Sequence, residues 1–115
     1  MIRGIAVLAA AALLAGCAST PSLYHWGNYE DVIYASYAAP GKVPPETAVE
    51  KLEQDRQQAL ATHRRLPPGW HAHLGYLYYP QGQPALAQEE FTIEKQLFPE
   101  SAVFIDGMLA RMRKQ

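Results

Sequence analysis

Residues 71–79, HAHLGYLYY, set two histidines beside three tyrosines within nine positions of this 115-residue chain. Two imidazoles so close together suggest a zinc site. Residues two apart on a helix, however, point about 200° away from each other, so His71 and His73 cannot grip one ion as an i, i+4 pair would. A zinc site also needs a third or fourth ligand, and nothing in the sequence brings His25 or His63 to the pair. His71 shares a helical face with Leu74, Gly75 and Tyr78, where it takes a packing position, and His73 is expected to point outward. No metal and no cofactor are predicted.

The carboxylates and hydroxyls offer no reaction centre either. Glu90 and Glu94 stand at i, i+4 next to Glu89, an arrangement that suits a solvated helix face better than a paired general acid and base. Ser101 suits a helix start, and no serine lies in a G-x-S-x-G context. The chain therefore reads as non-enzymatic, with no catalytic residue.

The remaining reactive side chain is Cys17, the only cysteine. It follows MIRGIAVLAAAALLAG, in which one charge at Arg3 precedes an apolar run from Ile5 to Ala15 that ends in small residues, the anatomy of a secretory signal. A membrane span needs about 20 apolar residues, more than this run supplies. Leu14 to Cys17, LAGC, resembles the lipobox of bacterial lipoproteins, which implies that Cys17 is acylated and becomes the first mature residue. Ala18 stands where an aspartate would signal inner-membrane retention, so the resemblance implies an outer-membrane anchor with the body in the periplasm. One acyl chain alone holds a protein only reversibly. The several chains implied here would make the attachment permanent.

The expected organisation is a signal peptide over 1–16, a lipidated tether over 17–28 and one helical domain over 29–115. Removing 16 of the 115 residues leaves 99, enough for one small core with no disulfide to help it. Nine basic and eleven acidic residues are interspersed in that part, so no basic face for nucleic acid is present. Seven tyrosines, two tryptophans and three phenylalanines favour a packed domain over a disordered stalk.

Helical patterns fill the domain. Asn28 is a plausible N-cap, with Glu30 and Asp31 at the positive end of the helix dipole, and Val32, Ile33 and Tyr37 recur at helical spacing. A second helix is expected from Pro45 to His63, with Val49, Leu52, Arg56, Ala59 and Leu60 as its stripe and Glu50, Lys51, Glu53, Asp55 and Gln57 in solvent. A third runs from Pro68 to Tyr79. A fourth opens at Pro84 and stops before Pro99, presenting Leu86, Ala87, Phe91, Ile93, Leu97 and Phe98. The last starts near Glu100 and carries Phe104, Ile105, Met108, Leu109 and Met112. No alternating β-branched run competes, so the fold class is all-α.

Leu74-Gly75, Tyr78, Gly82, Ala87, Phe91 and Pro99 resemble the tetratricopeptide repeat, with its L-G-x2-Y, A-x3-F and terminal proline. The repeat-like unit covers about 68–99. Two helices can approach closely only where one offers no side chain, so Gly75 and Ala87 are the expected meeting surfaces, filled on either side by Leu74, Tyr78 and Phe91. The pattern is broken at His71, where a large residue is expected, and at Glu94, where a small one is expected. A single repeat cannot bury both its faces, so the helices at 45–63 and 100–113 must cover it, giving a short helical array with flanking covering helices.

The stretches YHWGNYED, PGKVPPE, LPPGWHAHLGYLYYPQG and EFTIEKQLFPES are similar to an uncharacterised family of small bacterial lipoproteins, a domain of unknown function. Members of that family tend to be encoded beside lipoproteins resembling the curli secretion channel, so the resemblance implies a role as an adaptor or assembly factor for an envelope or secretion complex, with such a lipoprotein as a candidate partner. The repeat resemblance puts Ala72, Tyr76 and Tyr79, with Asp106, Ala110 and Arg113 of the last helix, on a concave face for a protein partner. Of these, Tyr76, Tyr79, Asp106 and Arg113 are the expected partner-binding residues, although the tyrosines could instead pack against the first helix. The alternatives are an accessory protein that holds a cell-wall glycan or peptide and a purely structural envelope lipoprotein.

Overall fold

Prolines punctuate the chain at the points where helices begin. In the computed structural model, which describes residues 2–4, 16 and 20–115, the domain contains five α-helices. They are α1 (Tyr29–Ala38), α2 (Pro45–Ala61), α3 (Trp70–Tyr78), α4 (Pro84–Leu97) and α5 (Ala102–Arg113). Pro45 and Pro84 each occupy the first turn of a helix, where a missing N–H costs no hydrogen bond. Short 3-10 turns, Tyr79–Gln81 and Pro99–Ser101, follow α3 and precede α5. Residues 2–4 are helical, and Cys17 and most of the expected signal peptide lie outside the described residues. Among the described residues no helix is long and apolar enough to cross a membrane, and no strand forms beyond an isolated bridge between Tyr24 and Arg65.

The all-α architecture is the expected one, with small shifts at the ends. The second helix stops at Ala61 rather than His63 because His63 turns into the left-handed region at φ 53°, while the Arg64 N–H donates back to the Ala59 carbonyl at 3.0 Å. The third begins at Trp70, after Gly69 at φ 89°, rather than at Pro68. Ser101 precedes α5, but its hydroxyl donates to the Phe98 carbonyl at 2.7 Å and caps no N–H of that helix.

The helices alternate in direction, and α3 lies at the centre. On one side Trp70, Leu74 and Leu77 pack with Val32, Ala48 and Leu52 of α1 and α2. On the other, Ala72 packs with Ala87 and Phe91 of α4 and with Ile105 and Met112 of α5. Tyr78 touches both clusters, so α3 is a shared wall between two small cores. Trp70, Leu74, Leu52, Phe91 and Ile105 are fully buried, and each such side chain contributes about 1.5–3 kcal/mol. The expected covering role of α2 and α5 is thus filled.

The α3–α4 pair is the tightest junction. A Cβ built on Gly75 would lie 3.0 Å from the Ala87 carbonyl oxygen and 2.8 Å from a ring carbon of Phe91. Gly75 faces Ala87 and Phe91, while Leu74 and Phe91 fill the space around that contact, as the spacing predicts.

Several surface assignments are corrected. Asp55, placed in solvent by the helical pattern, is fully buried, and Glu90 and Glu94 are buried too, whereas Leu60, Leu86 and Leu97 of the expected apolar faces are exposed. Asp55 accepts the Asn28 backbone N–H at 2.9 and 3.0 Å and the Asn28 side-chain amide at 2.9 Å. Asn28 precedes α1 as expected, but its side chain ties that helix to α2 rather than capping it.

Candidate functional site

His71 and His73 leave α3 in different directions and meet different chemistry. His71 turns to α4, where Nδ1 lies 2.6 Å from Glu90 Oε2. The other Glu90 oxygen accepts from the Arg56 guanidinium of α2, whose Nε also donates to Glu53 at 3.0 Å. Glu53 in turn accepts the Tyr78 hydroxyl at 2.8 Å. One polar chain thus runs Tyr78–Glu53–Arg56–Glu90–His71 and fastens α2, α3 and α4 together. The Arg56 guanidinium also lies 5.0 Å from the Trp70 ring centroid, within cation–π range.

The electrostatics follow from burial and pairing. Burial pushes the Glu90 carboxyl upward, but the hydrogen bonds and charges of His71 and Arg56 outweigh it and hold the group below its ordinary value of 4.5. Burial and the Glu53 carboxylate push the Tyr78 phenol up, so it remains a donor.

Glu94 serves the same helix pair differently. Gly69 brings no side-chain acceptor to the start of α3, and the buried Glu94 carboxylate reaches across from α4 to take the Gly69 N–H at 2.7 Å and the Ala72 N–H at 3.3 Å. A negative charge at a helix N-terminus is favoured by the dipole as well as by these bonds. His71 and Glu94, the two departures from the repeat pattern, are therefore the positions where polar pairing replaces apolar packing. The sequence carried that signal as a broken pattern, but the partners lie outside it.

On the opposite side of α3, a cleft of about 430 Å³ opens between α1, α3 and α5. Tyr29, Ile33 and Tyr37 form one wall, Phe104 and Met108 the other, and Ala72, His73 and Tyr76 the floor. Tyr76 and Phe104 are 55% and 62% exposed, so large rings stand open to solvent in a mostly apolar groove. Tyr29 contributes a phenol pushed up to about 12, first by burial and then by the charge of Glu94 and by Tyr37.

His73 does not point freely outward. Its ring stacks on Tyr76 at 6.1 Å, and Nε2 is buried with no hydrogen-bond partner among the described residues. Burial lowers its pKa from 6.5, so the unfolded chain takes up a proton at higher pH than the folded one. The stabilising difference is complete above pH 6.5 and is lost as pH falls through the lower folded value. Urea-unfolding midpoints should therefore fall as the buffer is taken below pH 6.5, and His73→Phe should reduce that fall.

Of the four expected partner-binding residues, Tyr76 and Tyr79 line one hollow, Tyr79 and Arg113 line another, and Asp106 lines neither. Tyr76 lines the cleft, but the Tyr79 hydroxyl donates to the Met112 carbonyl at 2.7 Å and its ring packs into the core beside α5. Asp106 pairs with Lys95 of α4 at 2.6 Å, and Arg113 lines a hollow with Tyr79, Pro84 and Gln88. The hollow shared by Tyr76 and Tyr79 also takes in Met108 and Arg111, while Tyr37 and Phe104 stand with Tyr76 in the cleft and Asp106 joins neither group. It is α5, not the first helix, that covers Tyr79.

Residues 23–108 match the family described as a domain of unknown function, DUF4810. The chain belongs to that family. No curated protein and no solved structure matches it. The matched DUF4810 span takes in the polar chain of α2, α3 and α4, the cleft wall on α1, its floor on α3, and Phe104 and Met108 on α5. It leaves out Cys17 and the end of α5.

Proposed function

We propose that this protein is a lipid-anchored adaptor on the periplasmic face of the outer membrane, and that its α1–α3–α5 cleft receives an apolar segment of an envelope or secretion partner. The observation that carries this reading is the cleft, where exposed aromatic rings line an open apolar groove of about 430 Å³. Exposed aromatics in concave sites are the usual anchors of protein recognition. The buried acids favour a non-enzymatic role, because Asp55, Glu90 and Glu94 are each taken up by partners inside the fold. A lipoprotein resembling the curli secretion channel is the partner class that the sequence resemblance suggests.

Crosslinking from intact membranes tests the cleft. The Tyr76→Ala/Phe104→Ala variant should lose one discrete protein adduct that the wild type forms, each ring that acts as a hot spot worth about 2 kcal/mol costing about thirtyfold in affinity. An unchanged adduct would overturn the cleft as the partner site, and recovery of peptidoglycan fragments alone would favour a cell-wall ligand. The anchor has a separate readout. Cys17→Ser should abolish the acyl mass increment and outer-membrane fractionation, and their persistence would overturn lipidation.

A further inference from the structure

We infer that Arg64 and Arg65, with the neighbouring exposed leucines, form the face by which the domain rests on the anionic lipid surface that holds its anchor. This inference rests on the proposed lipidation of Cys17. The chain arriving from Cys17 is fastened to this face, because Tyr24 bridges to Arg65 and the His25 N–H donates to the Arg65 carbonyl at 2.8 Å. The Arg65 guanidinium also lies 6.0 Å from the Tyr24 ring centroid. Tyr24 is seven residues beyond Cys17, a span that covers at most about 25 Å even when fully extended. The fastening point, and the arginines beside it, therefore stay within that distance of the acylated residue.

The chemistry of this face matches a phospholipid surface. The left-handed turn at His63 ends α2 and directs Arg64 and Arg65 onto the surface, and neither pairs with a carboxylate among the described residues. They line a hollow of about 290 Å³ together with Leu60, Leu66 and Leu97, and no acidic side chain contributes to its lining. Leu60 and Leu97 are 65% and 44% exposed, and Leu23, next to the fastening point, is 65% exposed. Uncompensated guanidinium groups beside exposed aliphatic chains suit phosphate headgroups over acyl chains, and each arginine near an anionic leaflet contributes about 1 kcal/mol.

The geometry also links this face to the cleft. His71 borders the arginine hollow and His73 floors the cleft, and two residues on one helix point about 200° apart. The two surfaces thus lie on opposite sides of α3, so a domain resting on Arg64 and Arg65 holds the aromatic cleft open to the periplasm.

The test uses the full acylated chain reconstituted into vesicles, with one dye-bearing cysteine introduced by Leu97→Cys or, in the cleft, by Tyr37→Cys. In vesicles of phosphatidylcholine mixed with phosphatidylglycerol, nitroxide-labelled headgroups should quench the dye at 97 and spare the dye at 37. Quenching at 97 should weaken with added salt and in phosphatidylcholine alone. Arg64→Ala/Arg65→Ala should lower the docked-to-undocked ratio roughly thirtyfold, and both arginines are exposed, so the fold should be retained, as circular dichroism will show. Equal quenching at 97 and 37, or quenching at 97 that ignores lipid charge and the arginines, would overturn the inference, as would protection of residue 97 only when a protein partner is added. Mass spectrometry of residue 17 in the same sample separates the two claims. An acylated chain without quenching at 97 refutes the resting face alone, and a chain without the acyl group refutes the anchor.

Discussion

Gly75→Val is expected to lower stability by about 3 kcal/mol or more, a large part of the 5–15 kcal/mol available to a domain of this kind. Its Cβ would enter space held by the Ala87 carbonyl, which is backbone, and by the Phe91 ring, which is fully buried. Neither neighbour can move without separating α3 from α4. Helix propensity works the other way, since replacing glycine with alanine in a helix gains about 1 kcal/mol. The two effects are separable because α5 contains Gly107, where an added Cβ meets nothing within 4 Å. Gly107→Ala should thus raise the melting temperature, whereas Gly75→Ala should lower it and Gly75→Val lower it by at least about 12 °C. Thermal unfolding followed by circular dichroism reads all three, and a Gly75→Ala variant as stable as Gly107→Ala would refute close approach at this junction.

Glu90→Ala is expected to lose about 3 kcal/mol, because it strips Arg56 and His71 of the acceptor they share and leaves Arg56 partly desolvated without its inner partner. Glu90→Gln keeps an acceptor and should lose less. The pH dependence distinguishes a charged pair from simple packing. The folded Glu90 carboxyl titrates below its ordinary value of 4.5, so the unfolded chain binds the proton first. The contribution of the charged pair is therefore complete above pH 4.5 and is lost as pH falls through the lower folded value. Denaturant midpoints should show the gap between wild type and Glu90→Gln narrowing as the buffer is taken below pH 4.5. A constant gap over that range would mean that the carboxylate charge contributes nothing.

These two sites differ in how readily the sequence revealed them. Gly75 and Ala87 could be read in advance, because close approach of neighbouring helices demands small residues and the intervening turn sets the register. Their junction appears where the spacing places it. The charge on Glu90 could not be assigned to the interior in the same way. On a helix wheel Glu90 and Glu94 look like a wet face, and Asp55 sits in a run of charged residues. Burial became favourable only because each met donors held by another helix, with partners 19, 25 and 27 residues away.

The tyrosines illustrate the same limit. Tyr76 and Tyr79 are three apart on one turn, and helical spacing alone puts them on the same face. The 3-10 turn that begins at Tyr79, together with the packing of α5, half-buries Tyr79 against that helix and leaves Tyr76 exposed in the open cleft. Asp106 and Arg113 were grouped with them through the repeat resemblance, but their orientation follows how α5 lies against α4.

Local order along the chain was enough to specify five helices, the proline starts of α2 and α4, the all-α class and the Gly75 junction. It was enough because helical period, capping and the steric demands of proline and glycine act over a few residues. The destination of each polar side chain, the composition of the cleft and the chemistry that each histidine meets arose only when α1, α2, α4 and α5 closed around α3. Burying a charge is unfavourable until a partner remote in sequence arrives, and whether that partner arrives depends on the packing of whole helices.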